Sequence, residues 1–210
     1  SIADGMTVPI HVDPRLVTFQ LDKDAVDEAF KELTDAEDLD EESAEVLVRR
    51  GSRVDVVFAN PARSEAVCAD IVDHFYTTID PLGMKAQVVV FDRAACVAYH
   101  KQLTHLLQQR HAQGHPLDEA AVVMHVTNGK GEDEEWAQHR RSEAEEAELL
   151  RRFRTHGDPL KFLVVTSRLG TGFNAPIEAV MYLDKPMKDH TLFQTITRTN
   201  RTWRNPETGQ

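Results

Sequence analysis

The sequence has no long hydrophobic run, few cysteines and no excess of positive charge. None of its apolar stretches approaches the roughly 18 residues that a helix needs to cross a bilayer, and its first residues lack the composition of a secretory signal. These absences predict a cytoplasmic protein without a membrane partner. The two cysteines, Cys68 and Cys96, lie far apart in apolar stretches, which indicates buried free thiols. Neither they nor the histidines have metal-ligand spacing, so no metal site is predicted.

The net charge of −11 argues against DNA binding over the whole surface. The acidity is concentrated in two runs, residues 35–45 and 132–148, whereas residues 161–210 hold seven basic and four acidic side chains. The distribution of charge, more than its total, determines where an anionic partner binds. The sequence therefore predicts solvated acidic faces or loops and leaves room for a local DNA groove in its C-terminal part.

Two glycine patterns that bind nucleotides are also missing from the sequence. It contains no G-x-x-x-x-G-K-[S/T] phosphate loop. No G-x-G-x-x-G follows its first apolar strand either, which disfavours a metabolite-binding Rossmann enzyme. Any role in nucleotide chemistry must then use other residues.

Four short apolar runs, rich in β-branched residues, alternate with amphipathic stretches. These runs are residues 86–91, 120–125, 162–166 and 179–183. Such an alternation predicts a parallel sheet with helices on both faces, an α/β fold of three αβα layers. One long charged helix is expected over residues 132–154 and a last helix over 191–201. Ligands of such sheets bind at the carboxyl ends of the strands.

The first 80 residues have a different texture. Polar and apolar residues alternate over residues 1–22, which also contain two prolines. Short helical patterns follow, and Asn60-Pro61 is a strong helix start. We therefore predict a mostly helical N-terminal extension or inter-domain segment over residues 1–80 and an α/β domain over residues 81–210. The first residue, Ser1, and the polar last residues predict that the chain is a segment of a longer protein.

The most informative pattern lies near the C-terminus. Gln194, Arg198 and Arg201 have spacings of four and three residues, so on a helix they share one face. Two guanidinium groups on one face can fork onto a triphosphate and stabilise charge that develops on its terminal phosphoryl group. Upstream, the glycine-containing stretch 166–176 follows an apolar strand. Together these stretches resemble motor motifs V and VI of superfamily 2 helicases and translocases.

The resemblance becomes more specific when further stretches are included. The segments that carry it are residues 1–10, 83–93 with Tyr99, 169–176, 181–190 and 194–201. They resemble the second RecA-like domain of the motor in the restriction (R) subunit of type I restriction enzymes. The link over residues 181–190, which contains Asp184-Lys-Pro and lies between motifs V and VI, is highly specific.

This resemblance implies a chemistry that two domains share. Members of the family hydrolyse ATP with Mg²⁺ in a cleft between two RecA-like domains and move double-stranded DNA. The partners implied are therefore double-stranded DNA, the first RecA-like domain of the same subunit, and the modification and specificity subunits of the complex. The phosphate loop and the magnesium-binding motif belong to the first domain, and the nuclease belongs to another. We therefore expect these 210 residues alone to be inactive and to hold no cofactor.

Nucleotide contacts are implied for five residues. Arg198 and Arg201 are expected to be arginine fingers that reach the γ-phosphate, and Gln194 to sense the nucleotide through its amide. Gly172 and Asn174 lie in the loop that contacts nucleotide in relatives. The family usually has aspartate where Asn174 stands, so this contact carries no charge here. A surface role remains open for Arg198, Arg201 and Gln194.

Two residues at strand ends, Arg93 and Thr166, are expected to contact DNA phosphates. Phosphate contacts position a protein on DNA without reading its sequence, which suits a translocase. The alternatives are a structural salt bridge for Arg93 and a hydroxyl that bonds its own backbone for Thr166.

Two other functions remain open. The chain could be a stand-alone module that binds nucleic acid or protein on a RecA-like scaffold, since fold alone does not define function. It could also be a segment of a different superfamily 2 helicase, because these proteins share motifs V and VI.

Overall fold

The computed structural model of the protein describes residues 10–17, 58–126, 134–166 and 175–185. Its strands are β1 Lys85–Val90, β2 Glu119–Val123, β3 Leu160–Val165 and β4 Glu178–Asp184. Its α-helices are α1 Pro61–His74, α2 Arg93–Ala112, α3 Glu134–Ala137 and α4 Glu143–Arg154. Within these ranges, no helix combines the length and the apolar character needed to cross a bilayer.

The four strands form one parallel sheet in the order β2-β3-β1-β4. At its centre Val88 of β1 lies opposite Val164 of β3 and Tyr182 of β4. All six residues of β1 are buried, as expected for a β-branched strand that is covered on both faces. The prediction of an α/β fold with a parallel sheet is confirmed.

Helices pack on both faces of the sheet and give three layers. On one face, α1 and α2 share a core with β1 and β3, where the Phe75 ring lies 4.5 Å from the Phe162 ring. On the other face, Leu149 and Phe153 of α4 pack against Leu163 of β3. These two clusters bury the apolar side chains of β1 and β3, whereas most of those in the edge strand β4 are half-buried.

Two helices begin where their sequences predict. The Asn60 side chain accepts hydrogen bonds from the backbone N–H groups of Ala62 and Arg63 at the start of α1, at 2.9 and 3.2 Å. The Asp92 side chain accepts one from the Ala95 N–H at the start of α2, at 2.7 Å. Each cap satisfies backbone donors that a first helical turn leaves unpaired. Asp92 thereby fixes the direction of the chain as it leaves β1.

The prediction of one long helix over residues 132–154 is wrong, because the chain breaks between α3 and α4. At the break, Arg141 donates a hydrogen bond to the Val122 carbonyl on the outer edge of β2, at 2.5 Å. Ser142 then starts α4 with a capping box, in which its side chain and that of Glu145 bond to each other's backbone N–H groups. The new cap and the contact with the sheet edge stabilise the broken conformation more than a continuous helix would be stabilised.

The helix α1 precedes the predicted domain boundary near residue 80, yet it shares its core with the sheet. Its residues Cys68 and Ile71 belong to the same buried cluster as α2 and β1. Both cysteines are buried free thiols, as expected. The rest of the predicted N-terminal extension and the last predicted helix lie outside the described residues, and the position of the boundary stays a prediction.

His139, in the break between α3 and α4, is a buried histidine. It is 6% exposed, and its Nε2 atom has no hydrogen-bond partner within the described residues. Burial lowers its pKa from 6.5 to about 4, with smaller contributions from His100, Arg141 and Lys101. The His100 ring packs edge-on against it, with the ring centres 5.1 Å apart. The folded chain therefore holds this imidazole neutral.

We expect the free energy of unfolding to fall by roughly 2 kcal/mol between about pH 7 and about pH 5 because of His139. The unfolded chain takes up the proton near its ordinary pKa, whereas the folded chain does so only near pH 4, so acid favours unfolding. Urea unfolding at both pH values measures this effect. His139→Leu should remove most of the slope, leaving the contribution of His100, whose pKa burial also lowers. An unchanged slope in this variant contradicts the prediction.

Candidate functional site

The carboxyl ends of the four strands meet at one edge of the sheet, because all four run in the same direction. The residues that follow the strands there include Arg93 after β1, His125 after β2, Thr166 after β3 and Lys185 after β4. This edge is where open parallel sheets bind ligands. The structure thus places Arg93 and Thr166 at the edge that their sequence positions predict.

Arg93 begins α2 and extends toward the end of β2. Its guanidinium carbon lies 4.1 Å from the ring centre of Trp136, in α3, and its Nη1 atom donates to the His125 carbonyl at 3.4 Å. Since β3 lies between β1 and β2, this side chain passes the carboxyl end of β3, which Thr166 follows. The two predicted phosphate ligands therefore lie at neighbouring positions of one edge.

Thr166 is half-buried directly after β3. Its strand neighbours on both sides, β1 and β2, are held in register through Val165, which pairs with Val89 and with Val123. A hydroxyl at this place is fixed by the central part of the sheet, and it can both donate and accept hydrogen bonds.

A half-buried ionic cluster lies at the carboxyl end of β4. Asp184 accepts hydrogen bonds from both terminal nitrogens of Arg63, in α1, and from the Tyr99 hydroxyl, in α2. The side chains of Arg63 and Asp184 are each 13% exposed. The hydrogen bonds to Asp184 raise the pKa of Arg63, and burial, with Asp184, raises the pKa of Tyr99. The cluster ties the end of β4 to both helices of that face.

Sequence reasoning missed three of the residues at this edge. Asp184 stood out only as part of a family signature, and nothing in the local sequence around Arg63 indicates its partner. Trp136 lies within an acidic run that the sequence predicts to face solvent. An isolated tryptophan in such a run was the one available signal that this segment contacts the rest of the fold.

The opposite edge of the sheet holds a buried lysine. Lys85, at the start of β1, is 1% exposed, and its Nζ atom donates to the Arg152 carbonyl at 3.1 Å. Burial lowers its pKa to about 8. Arg152 lies in the last turn of α4, and its carbonyl also accepts a hydrogen bond from the Thr155 backbone N–H, at 3.0 Å, so the lysine is a second donor to this oxygen. This residue joins α4 to the sheet and lies away from the predicted ligand edge.

A cavity of about 610 Å³ lies beside β4, between α1 and the segment 10–17. Arg15 ties this segment to α1 through two hydrogen bonds to Asp70, at 2.6 and 2.7 Å. The charged groups around the cavity, which include Arg63 and Asp184, bond to one another. We assign no ligand to it.

The five predicted nucleotide ligands lie outside the described residues. They are Gly172, Asn174, Gln194, Arg198 and Arg201. Their roles, and the contacts of Arg93 and Thr166 with DNA, stay predictions. Among the residues that the structure does describe, no three His, Cys, Asp or Glu side chains are placed to hold a metal ion.

Comparisons with known proteins point to one family. Residues 134–209 match the family model described as type I restriction enzyme subunit R domain 3. The chain is 34% identical over 206 residues to the type I restriction enzyme HindI endonuclease subunit of Haemophilus influenzae, covering 98% of the chain and 19% of that protein. It is 30% identical over 205 residues to a Methanocaldococcus jannaschii protein named for the MjaIXP endonuclease subunit, again covering 98% and 19%.

A solved structure supports the same fold. A fragment of an HsdR subunit, described as that of a type I restriction enzyme from Vibrio vulnificus, superposes with a TM-score of 0.50 and 21% identity. The match covers 72% of this chain and 25% of the fragment. At this identity the likeness concerns the fold. The chain spans 19% of the length of the curated relatives it matches.

Proposed function

Because the chain belongs to the endonuclease (R) subunits of type I restriction enzymes, we propose that it forms the second half of an ATP-dependent motor that moves double-stranded DNA. One observation carries this proposal. The parallel sheet gathers Arg93 and Thr166 at its carboxyl edge, where the stretch that resembles motif V follows β3 directly. A motor of this kind needs a phosphate-contacting edge next to a nucleotide-contacting one.

The nucleotide-contacting residues in this proposal come from the two C-terminal motifs. Arg198 and Arg201 supply positive charge to the transferring phosphoryl group, while Gln194, Gly172 and Asn174 contact the nucleotide. Two forked guanidinium groups and an amide suit a phosphate chain. ATP supplies the phosphoryl transfer when it is bound between this unit and the first RecA-like domain.

The magnesium ion is assigned to that first domain. Mg²⁺ in nucleotide sites is usually held by one or two carboxylates together with phosphates. In this proposal the chain contributes guanidinium and amide groups to one wall of the pocket.

Arg93 and Thr166 would contact the DNA backbone. A guanidinium and a hydroxyl at adjacent strand ends can bind neighbouring phosphate oxygens. Neither group needs to read a base, so the contact persists as DNA moves. The complex would include modification and specificity subunits and would act in the cytoplasm.

Titration of the 210-residue chain with duplex DNA and with Mg-ATP tests whether it is half of a motor. We expect no measurable binding of either at about 0.15 M salt, because each ligand needs contacts from another domain. The full-length subunit should bind both under the same conditions. Tight, salt-dependent DNA binding by the 210 residues contradicts the proposal and favours the stand-alone module.

A further inference from the structure

Trp136 connects the short helix α3 to the candidate DNA edge. Its ring is partly buried against the core that α1 and α2 share with the sheet. Two further contacts hold the segment around it: Lys101 pairs with Glu135 at 2.9 Å, and Arg141 bonds to the Val122 carbonyl. The ring is therefore held by α2 and by the edge of β2, and it provides a fixed surface for Arg93.

Arg93 is held in turn by this ring and by the His125 carbonyl. An arginine side chain loses rotamer entropy when it is fixed in one conformation. A guanidinium that already lies on an aromatic face has lost much of this freedom before it meets a ligand. Its N–H bonds point outward in its own plane, so stacking by itself uses none of its donors.

We propose that Trp136 is a positioning residue for DNA binding, which holds Arg93 across the end of β3 so that the guanidinium meets a backbone phosphate. This inference rests on the proposed function. Trp136 touches Arg93 and acts through it, and it has no contact with DNA in this proposal. Its aromatic face is the property that matters.

A second arginine stack on the same helix offers a matched control. Arg110 lies 3.5 Å from the ring centre of Tyr76, and the Tyr76 hydroxyl donates to Asp118 at 2.7 Å. Arg110 is near the end of α2, about 25 Å along the helix from Arg93. It therefore has the same chemistry at the opposite edge of the sheet, where no DNA contact is proposed.

The experiment uses the full-length subunit in its complex and measures DNA-stimulated ATP turnover against DNA and salt concentration. Arg93→Ala should raise the half-saturating DNA concentration by about threefold to tenfold and lower the salt slope by about one. Trp136→Leu, which keeps apolar packing and loses the aromatic face, should raise that concentration in the same direction. Trp136→Phe should restore most of the affinity, and Arg110→Ala should leave it unchanged.

The double variant separates positioning from a structural role. In the Arg93→Ala background, Trp136→Leu should cost no further affinity, because the residue through which it acts is gone. If Arg93→Ala raises the half-saturating DNA concentration and Trp136→Leu does not, this inference is wrong and the proposed function is unaffected. A further loss in the double variant also overturns it. If Arg93→Ala has normal DNA affinity, the proposed contact between Arg93 and DNA is wrong. If DNA does not stimulate ATP turnover by the parent enzyme, the proposed function is wrong.

Discussion

Replacing Arg201 with alanine in a full-length subunit is expected to lower ATP turnover by about 10³- to 10⁵-fold, the range that an arginine finger contributes. Arg201 lies seven positions after Gln194 and three after Arg198, which is the spacing of one helical face. Charge develops on the phosphoryl oxygens as the bond to the leaving group breaks, and a guanidinium placed there stabilises that charge more than it stabilises bound ATP.

The loss should therefore appear in kcat and much less in the KM for ATP. Steady-state ATP turnover with saturating duplex DNA measures both constants. Arg201→Lys should recover part of the rate, since an ammonium keeps the charge and loses the planar fork. The same loss is expected for Arg198→Ala if both arginines reach the phosphate.

Arg151 provides the matched control for this experiment. It is an exposed arginine of α4 that pairs with Glu148 at 2.6 Å on the helix surface, and it lies outside both proposed contact regions. Arg151→Ala should leave ATP turnover and DNA stimulation unchanged. Turnover by Arg201→Ala within about twofold of the parent enzyme removes the finger assignment, provided that circular dichroism shows an unchanged fold.

The strands and helix starts were predictable because local sequence determines them. The run from Gln87 to Val90 is rich in β-branched residues, which predicts a buried strand. Asn60 and Asp92 provide side-chain acceptors directly before amphipathic stretches, which predicts helix starts. The break before Ser142 was not predictable from periodicity, because part of its cause is distant. Arg141 bonds to a carbonyl 19 positions earlier in the chain, and no local pattern encodes that contact.

The residues of the candidate site also divide into those that the sequence predicts and those that it does not. Thr166 and Arg93 could be placed at one edge because parallel strands bring their carboxyl ends together whatever the details of packing. The partner of Asp184 could not be predicted, because Arg63 lies 121 positions away in the sequence. The contact of Trp136 was not predictable for a related reason. The acidic residues around it indicate a solvent-exposed segment, and the side chain on which it stacks belongs to another helix.

Asp184→Asn is expected to lower the free energy of unfolding by about 1.5–3 kcal/mol, because it weakens charge-assisted hydrogen bonds to the half-buried Arg63 guanidinium. The asparagine side chain has nearly the same shape, so the change removes charge and one acceptor while it preserves packing. Arg63→Met should cost a similar amount by leaving the carboxylate uncompensated. Urea unfolding of the 210-residue chain, with equal slopes for all variants, measures both effects.

The double variant Arg63→Met with Asp184→Leu should be closer to the parent in stability than either single variant, since buried ion pairs can often be replaced by apolar groups at small cost. Glu148→Gln is the control: its pair with Arg151 is exposed, and breaking it should leave the free energy of unfolding almost unchanged. If Asp184→Asn costs no more than this control, the cluster contributes little to the fold. If the double variant costs the sum of the two singles, the penalty comes from lost packing around Tyr99 rather than from an unpaired charge.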